Sequence, residues 1–174
     1  YALKLNLNGD TIWTNSYGGV GWDFCKQLVA LSDGGFALFG QTYSYGAGDA
    51  DYYLVRLNAD GDTLWTRTYG GVGYESGESI SLTDEGGFYL TGHTESFGAG
   101  GKDVYVVKTD AIGDTIWTRT FGHAQDEFCF GSTKTTDGGI VTVGASYTPL
   151  EGDFMVHKMS EDGDSIWSRI EDGS

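Results

Sequence analysis

Apolar and polar residues alternate along this chain in short runs separated by clusters of glycine, aspartate and asparagine, a pattern that predicts β-strands joined by tight turns. The chain begins with two such runs, Tyr1–Leu5 and Thr11–Thr14, around the turn Asn6-Leu7-Asn8-Gly9-Asp10. Lys26–Leu31 and Phe36–Thr42 follow, around Asp33-Gly34-Gly35, where glycine supplies the positive φ of a hairpin turn. The same plan returns as Tyr53–Leu57, Thr63–Thr68, Ser79–Thr83 and Phe88–His93, and again as Tyr105–Thr109, Thr115–Thr120, Ser132–Thr136 and Ile140–Ala145. Met155–Met159 and Ser165–Ile170 complete fourteen predicted strands. No apolar pattern keeps helical spacing over three turns with caps, so the expected fold class is all-β.

The runs are copies of one unit. Trp13, Trp65, Trp117 and Trp167 recur at intervals of 52, 52 and 50 residues, each three residues after an aspartate: Asp10, Asp62, Asp114 and Asp164. A fixed period in this range marks solenoids, propellers or arrays, and four short antiparallel strands per unit predict β-propeller blades. Cut at the repeat, the chain reads as one domain containing a half blade (1–19) and three blades (20–70, 71–122 and 123–174). About three and a half blades leave a ring incomplete, with unpaired edges open to other chains.

The turn Asp60-Gly61-Asp62-Thr63-Leu64-Trp65, with its copies at Gly113–Trp117 and Asp162–Trp167, resembles the Asp-box of sialidase-like propellers. It places Asp and Gly side by side and one residue between Thr and Trp, where that motif differs. The same stretch resembles the tryptophan-docking motif of quinoprotein-type propellers. The whole unit, with Asp-Gly-Gly-Phe-x-Leu-x-Gly-x-Thr and Gly-Asp-Thr-x-Trp, is similar to repeats of secreted bacterial and archaeal surface proteins. That resemblance implies an extracellular or cell-surface location and a structural or adhesive role. The partners it implies are other copies, or the rest of a larger propeller, engaged through open blade edges. It does not specify an activity, because propellers host many functions.

Charge narrows the partners further. A formal net charge of −15 disfavours nucleic acid and anionic membranes, and no run reaches the ~18 apolar residues of a membrane span. Lys4, Arg56, Lys108 and Lys158 share one repeat position and Arg67, Arg119 and Arg169 another, so most of the ten basic residues read as repeat architecture. No signal peptide is visible, and the chain opens on Tyr1, which reads as a processed chain or part of a longer one.

Candidate chemistry lies in the loops. Trp22, Asp23, Tyr43, Tyr45, Tyr74, Glu75, Phe97 and Tyr147 fall on one predicted loop face, with Asp49, Asp51, Glu78, Asp103, Glu151 and Asp153 beside them. Rings and carboxylates on one surface suit a sugar ligand, and a glycan-binding module is the alternative function; rings that merely cover the seams between blades are the competing reading. Paired carboxylates also admit a glycosidase, but no pair stands out, so a non-catalytic protein is expected. His93, His123 and His157 occupy different repeat positions and indicate no zinc site. No cofactor is expected. The Asn58–Asp62 turns are a candidate for structural calcium, against the favoured reading that Asp and Asn there bond their own backbone. Cys25 and Cys129 share a repeat position and are expected to be buried thiols, too far apart for a disulfide.

Overall fold

The computed structural model describes residues 1–147 and 152–171, and the described residues form fourteen strands. β1 (Ala2–Leu5) and β2 (Thr11–Asn15) pair as a two-stranded sheet. Three four-stranded antiparallel meanders follow: β3 (Asp23–Ala30), β4 (Phe36–Thr42), β5 (Asp51–Leu57) and β6 (Thr63–Tyr69); β7 (Glu75–Leu82), β8 (Phe88–Thr94), β9 (Asp103–Thr109) and β10 (Thr115–Phe121); β11 (Asp126–Lys134), β12 (Ile140–Tyr147), β13 (Gly152–Met159) and β14 (Ser165–Glu171). Each meander lies within one of the spans cut from the repeat. The sheets stand as separate blades that do not close into a barrel, and Glu151 lies outside the described residues.

The blades stack face to face along their first strands. β7 packs on β3, β4 and β5, while β11 packs on β7, β8 and β9, so β3, β7 and β11 are neighbours at the inner edge. Between the first and second blades lie Phe39, Tyr52, Leu54, Ile80, Leu90 and Val107. Between the second and third lie Val104, Val106, Cys129, Ile140, Met155 and Met159. A smaller core of Tyr53, Val55 and Leu57 receives Trp13 and Tyr17 of the two-stranded sheet. β5 and β9 are buried along their whole length because both faces are covered, whereas β14 is exposed throughout. Tyr52 shows the packing: its ring meets Phe39 edge-on at 5.1 Å and its hydroxyl donates to the Tyr105 carbonyl at 2.9 Å. That bond satisfies the one polar atom of a fully buried side chain.

Trp13, Trp65 and Trp117 each dock on the sheet that follows their own. Trp13 Nε1 donates to the Ala59 carbonyl at 3.3 Å, and Trp117 Nε1 to the Glu161 carbonyl at 3.2 Å. Trp65 packs edge-on against Phe88 of the second blade. In all three joints the ring lies against the outer turn, where Gly61, Gly113 and Gly163 hold φ of 84°, 82° and 83°. A Cβ added at these glycines would come within 2.8 to 3.1 Å of the docked ring. Glycine is therefore required twice over there, for its left-handed backbone and for its bare face against the indole. Tyr17 and Tyr69 reinforce the joint by donating to the Gly61 and Gly113 carbonyls at 2.7 Å each.

The inner strands begin earlier than the alternation predicts: Asp23, Glu75 and Asp126 in place of Lys26, Ser79 and Ser132. The cause is a β-bulge at the same register in every blade, between Cys25 and Gln27, Gly77 and Ser79, and Cys129 and Gly131. One extra residue breaks the two-residue alternation and hides the first half of the strand from a periodic reading. Opposite each bulge, the partner strand carries Gly40, Gly92 or Gly144, onto whose α-carbon the carbonyl of Phe24, Ser76 or Phe128 closes.

The expectation of two buried thiols holds for one of them. Cys129 is fully buried between the second and third blades, and Cys25 is exposed because the two-stranded sheet covers only the outer part of the face on which it sits.

Candidate functional site

The residues at the bulges are Lys26, Glu78 and Phe130, and all three line one open groove of about 790 Å³ across the inner edges of the blades. A bulge re-aims a side chain out of the regular pleat; here three of them converge. The volume lies within the range of small-molecule sites. Around the groove, corresponding positions change along the repeat: Gln41, His93 and Ala145 differ in every blade, while Ser76 and Glu95 of the second blade stand where the first and third carry Phe24 and Phe128, and Tyr43 and Tyr147. The tryptophan joint, by contrast, repeats its tryptophan and its turn glycine in every blade. The bulge position itself differs in all three blades, as Lys26, Glu78 and Phe130.

The lysines in the groove are paired with carboxylates. Lys26 Nζ lies 3.2 Å from Glu78 Oε1, and Ser76 Oγ lies 2.7 Å from the same oxygen. Gln41 Nε2 donates to the Tyr74 hydroxyl at 2.9 Å. Lys102 pairs with Glu95 at 3.3 Å, and its ammonium stands over Phe128 and Tyr74, 5.1 and 5.9 Å from the ring centres. His93, nearly buried in the floor, meets Phe128 edge-on at 4.9 Å. Burial pushes its pKa down to about 4, with the ammonium groups of Lys102 and Lys26 acting in the same direction and Glu78 opposing, so the ring is neutral at pH 7. Its Nδ1 has no hydrogen-bond partner.

Comparison with family models and with curated proteins returned no match. The site must be read from its own geometry.

Four of the predicted ligand residues come together. Trp22 stacks on Phe24 and Phe24 meets Tyr43, and from Tyr43 the band runs through Tyr74, His93 and Phe128 to Phe130 and Tyr147, each ring centre within 6.4 Å of the next. It crosses all three blades. The other four are placed elsewhere. Tyr45 leans on Tyr53 and donates to the Gly18 carbonyl at 3.1 Å, and Phe97 leans on Tyr105 in the same way, so both rings fill seams. Asp23 accepts from the Gly19 amide and Ser44 hydroxyl, and Glu75 from the Gly71 amide and Thr94 hydroxyl. Glu127 repeats this in the third blade, accepting from the His123 amide and Ser146 hydroxyl. These carboxylates pin the loop between blades.

Three of the four aspartates of the tryptophan turns accept side-chain hydrogen bonds, and the Asp164 amide donates to the Ser160 hydroxyl. Asp10 and Asp62 accept from the Asn6 and Asn58 side chains at 3.0 Å, and Asp114 accepts from Arg67 of the preceding blade. Among the described residues, no group of three or more His, Cys, Asp or Glu is placed to hold a metal ion.

Lys26, Phe128, Phe130, His93 and Lys102 are absent from the predicted set. A signal for them existed. The glycine inside each second strand marks a close backbone approach, and the bulge opposite it puts one residue per repeat into the groove. That one residue differs in kind from blade to blade.

Proposed function

We propose that this protein is a non-catalytic structural and adhesive module of the cell exterior, whose two open blade faces receive further blades, either from the rest of a larger propeller or from other copies of the chain. The observation that carries this reading is an unfilled pair of joint halves. Trp167 occupies the position of Trp13, Trp65 and Trp117 but is 44% exposed, and no turn among the described residues lies against it as the next blade's turn does in the other joints. At the other end the Asn6–Asp10 turn has the geometry of its copies, with Gly9 at φ 85°, yet nothing approaches within 4 Å of where a Cβ on Gly9 would stand.

The leading face of the first blade supports the same reading. Leu28 is 54% exposed, while Ile80, its counterpart in the second blade, is 1% exposed against the first. Such faces bury apolar area when another blade covers them, at about 25 cal/mol per Å². Head and tail are different surfaces, so the contact is heterologous and builds rings or filaments instead of closed pairs.

Light scattering across a concentration series tests this. Mass above that of one chain, rising with concentration and returning to one chain in Trp167→Ala, is the expected result. A single-chain mass at every concentration would remove self-docking.

A further inference from the structure

We propose that the groove lined by Lys26, Glu78 and Phe130 is a binding site for a neutral saccharide chain laid along the aromatic band from Tyr43 to Phe130. The inference is independent of self-docking, because Trp167 and the Asn6–Asp10 turn lie on the outer strands and outside the groove.

The ligand class follows from elimination and fit. A fully apolar ligand would strip water from Lys26, Glu78, Asp49, Glu95 and Lys102, which all line the groove, without replacing their hydrogen bonds. An anion is repelled by a chain carrying −15 charges. A cation finds the aromatic faces of Tyr74 and Phe128 under Lys102 and the carboxylates of Glu78 and Glu95 under Lys26 and Lys102, which leaves Asp49 alone to receive it. A sugar needs what remains. Its hydroxyls both donate and accept, and the Lys26–Glu78 pair offers N–H donors and carboxylate acceptors 3.2 Å apart. Its C–H faces need exposed rings, and Phe130 at 57% and Tyr43 at 45% exposure provide one on each side of the groove. The groove is open along the band, which suits a chain of sugars more than a single ring.

The internal comparison adds weight. A bulge that served only to twist the strand would have no need of different chemistry in each blade. Lysine, glutamate and phenylalanine at one repeat position supply donor, acceptor and ring face to one space.

The test is calorimetric titration with hexasaccharides of three kinds: neutral (cello-, manno- and malto-), anionic (oligogalacturonate) and cationic (chitosan-derived). At least one neutral chain is expected to bind, with the charged chains at least tenfold weaker. Phe130→Ala and Glu78→Gln should each weaken binding about tenfold or more with the circular dichroism spectrum unchanged, while Leu64→Ala and Trp167→Ala leave it intact. The proposal falls if no neutral chain binds, if a charged chain binds as well, or if Phe130→Ala and Glu78→Gln bind like the parent. Loss of binding in Trp167→Ala would also overturn it, by tying the ligand to the assembly face.

Discussion

Trp117 Nε1 donates to the carbonyl of Glu161 across the boundary between the second and third blades, at 3.2 Å, and the Arg119 guanidinium on the same strand reaches the Gly163 carbonyl at 3.2 Å. Forty-four residues separate the two partners in sequence. The outer corner of one sheet is thus held by the turn of the next.

Replacing Trp117 by Ala should cost about 2 to 3 kcal/mol, because a half-buried indole loses both its packing and its N–H partner. At concentrations where the chain is single, Trp167→Ala should change stability by less than about 0.5 kcal/mol, since its ring meets no following blade. Urea denaturation of the two variants gives the comparison; equal losses would show that the ring is stabilised within its own blade.

Two glycines with the same backbone should respond unequally. Gly9→Ala pays only for a side chain at φ 85°, about 1 kcal/mol. Gly113→Ala at φ 82° adds a Cβ 2.9 Å from the Trp65 ring, and the loss should rise to about 2 to 4 kcal/mol. Thermal melts of both variants read the difference.

Acid should weaken the fold through His93 and His157. Burial lowers both pKa values, His93 to about 4, so above pH 6.5 neither state is protonated and neither group affects stability. As pH falls below 6.5 the unfolded chain takes up the proton that the folded chain refuses. Stability is then lost down to about pH 4, by about 3 kcal/mol from His93 alone. His93→Gln, which installs the residue found at this repeat position in the first blade (Gln41), should flatten that part of the pH dependence in urea titrations at pH 7, 5.5 and 4.

One thiol should react in the native protein. Cys25 is an exposed residue although partial desolvation raises its thiol pKa, whereas Cys129 is fully buried and desolvation pushes its thiol up to about 11, which suppresses the thiolate. A chromogenic disulfide reagent at pH 8 should titrate one equivalent quickly and the second only on adding denaturant. Rapid labelling of both would mean that the second and third blades separate readily.

Most of the architecture was legible in the sequence because it repeats. Four tryptophans at near-constant spacing, with aspartate and glycine before them, mark the turns, and the alternation of Phe36–Thr42 or Phe88–His93 marks second strands buried between sheets. Legibility failed at Asp23–Cys25, Glu75–Gly77 and Asp126–Cys129, where a bulge interrupts the alternation and a glycine or charged residue sits in the strand. The candidate site suffered for the same reason. Trp22, Tyr43, Tyr74 and Tyr147 were recognisable as loop aromatics, but the residues that join them lie on the hidden halves of inner strands. Asp23 and Glu75 looked like ligand carboxylates and are loop anchors, a distinction that depends on which amides face them.

The sequence alone determined the strand count, the meander order and the turns, because period, alternation and glycine placement are local properties that each copy states again. Tertiary structure decided which blade each tryptophan docks on, which of two equivalent cysteines is covered, and that Lys26, Glu78 and Phe130 share one groove. These depend on how neighbouring sheets lie against one another. Identical repeat positions acquire different surroundings as soon as one face is covered and its counterpart is not.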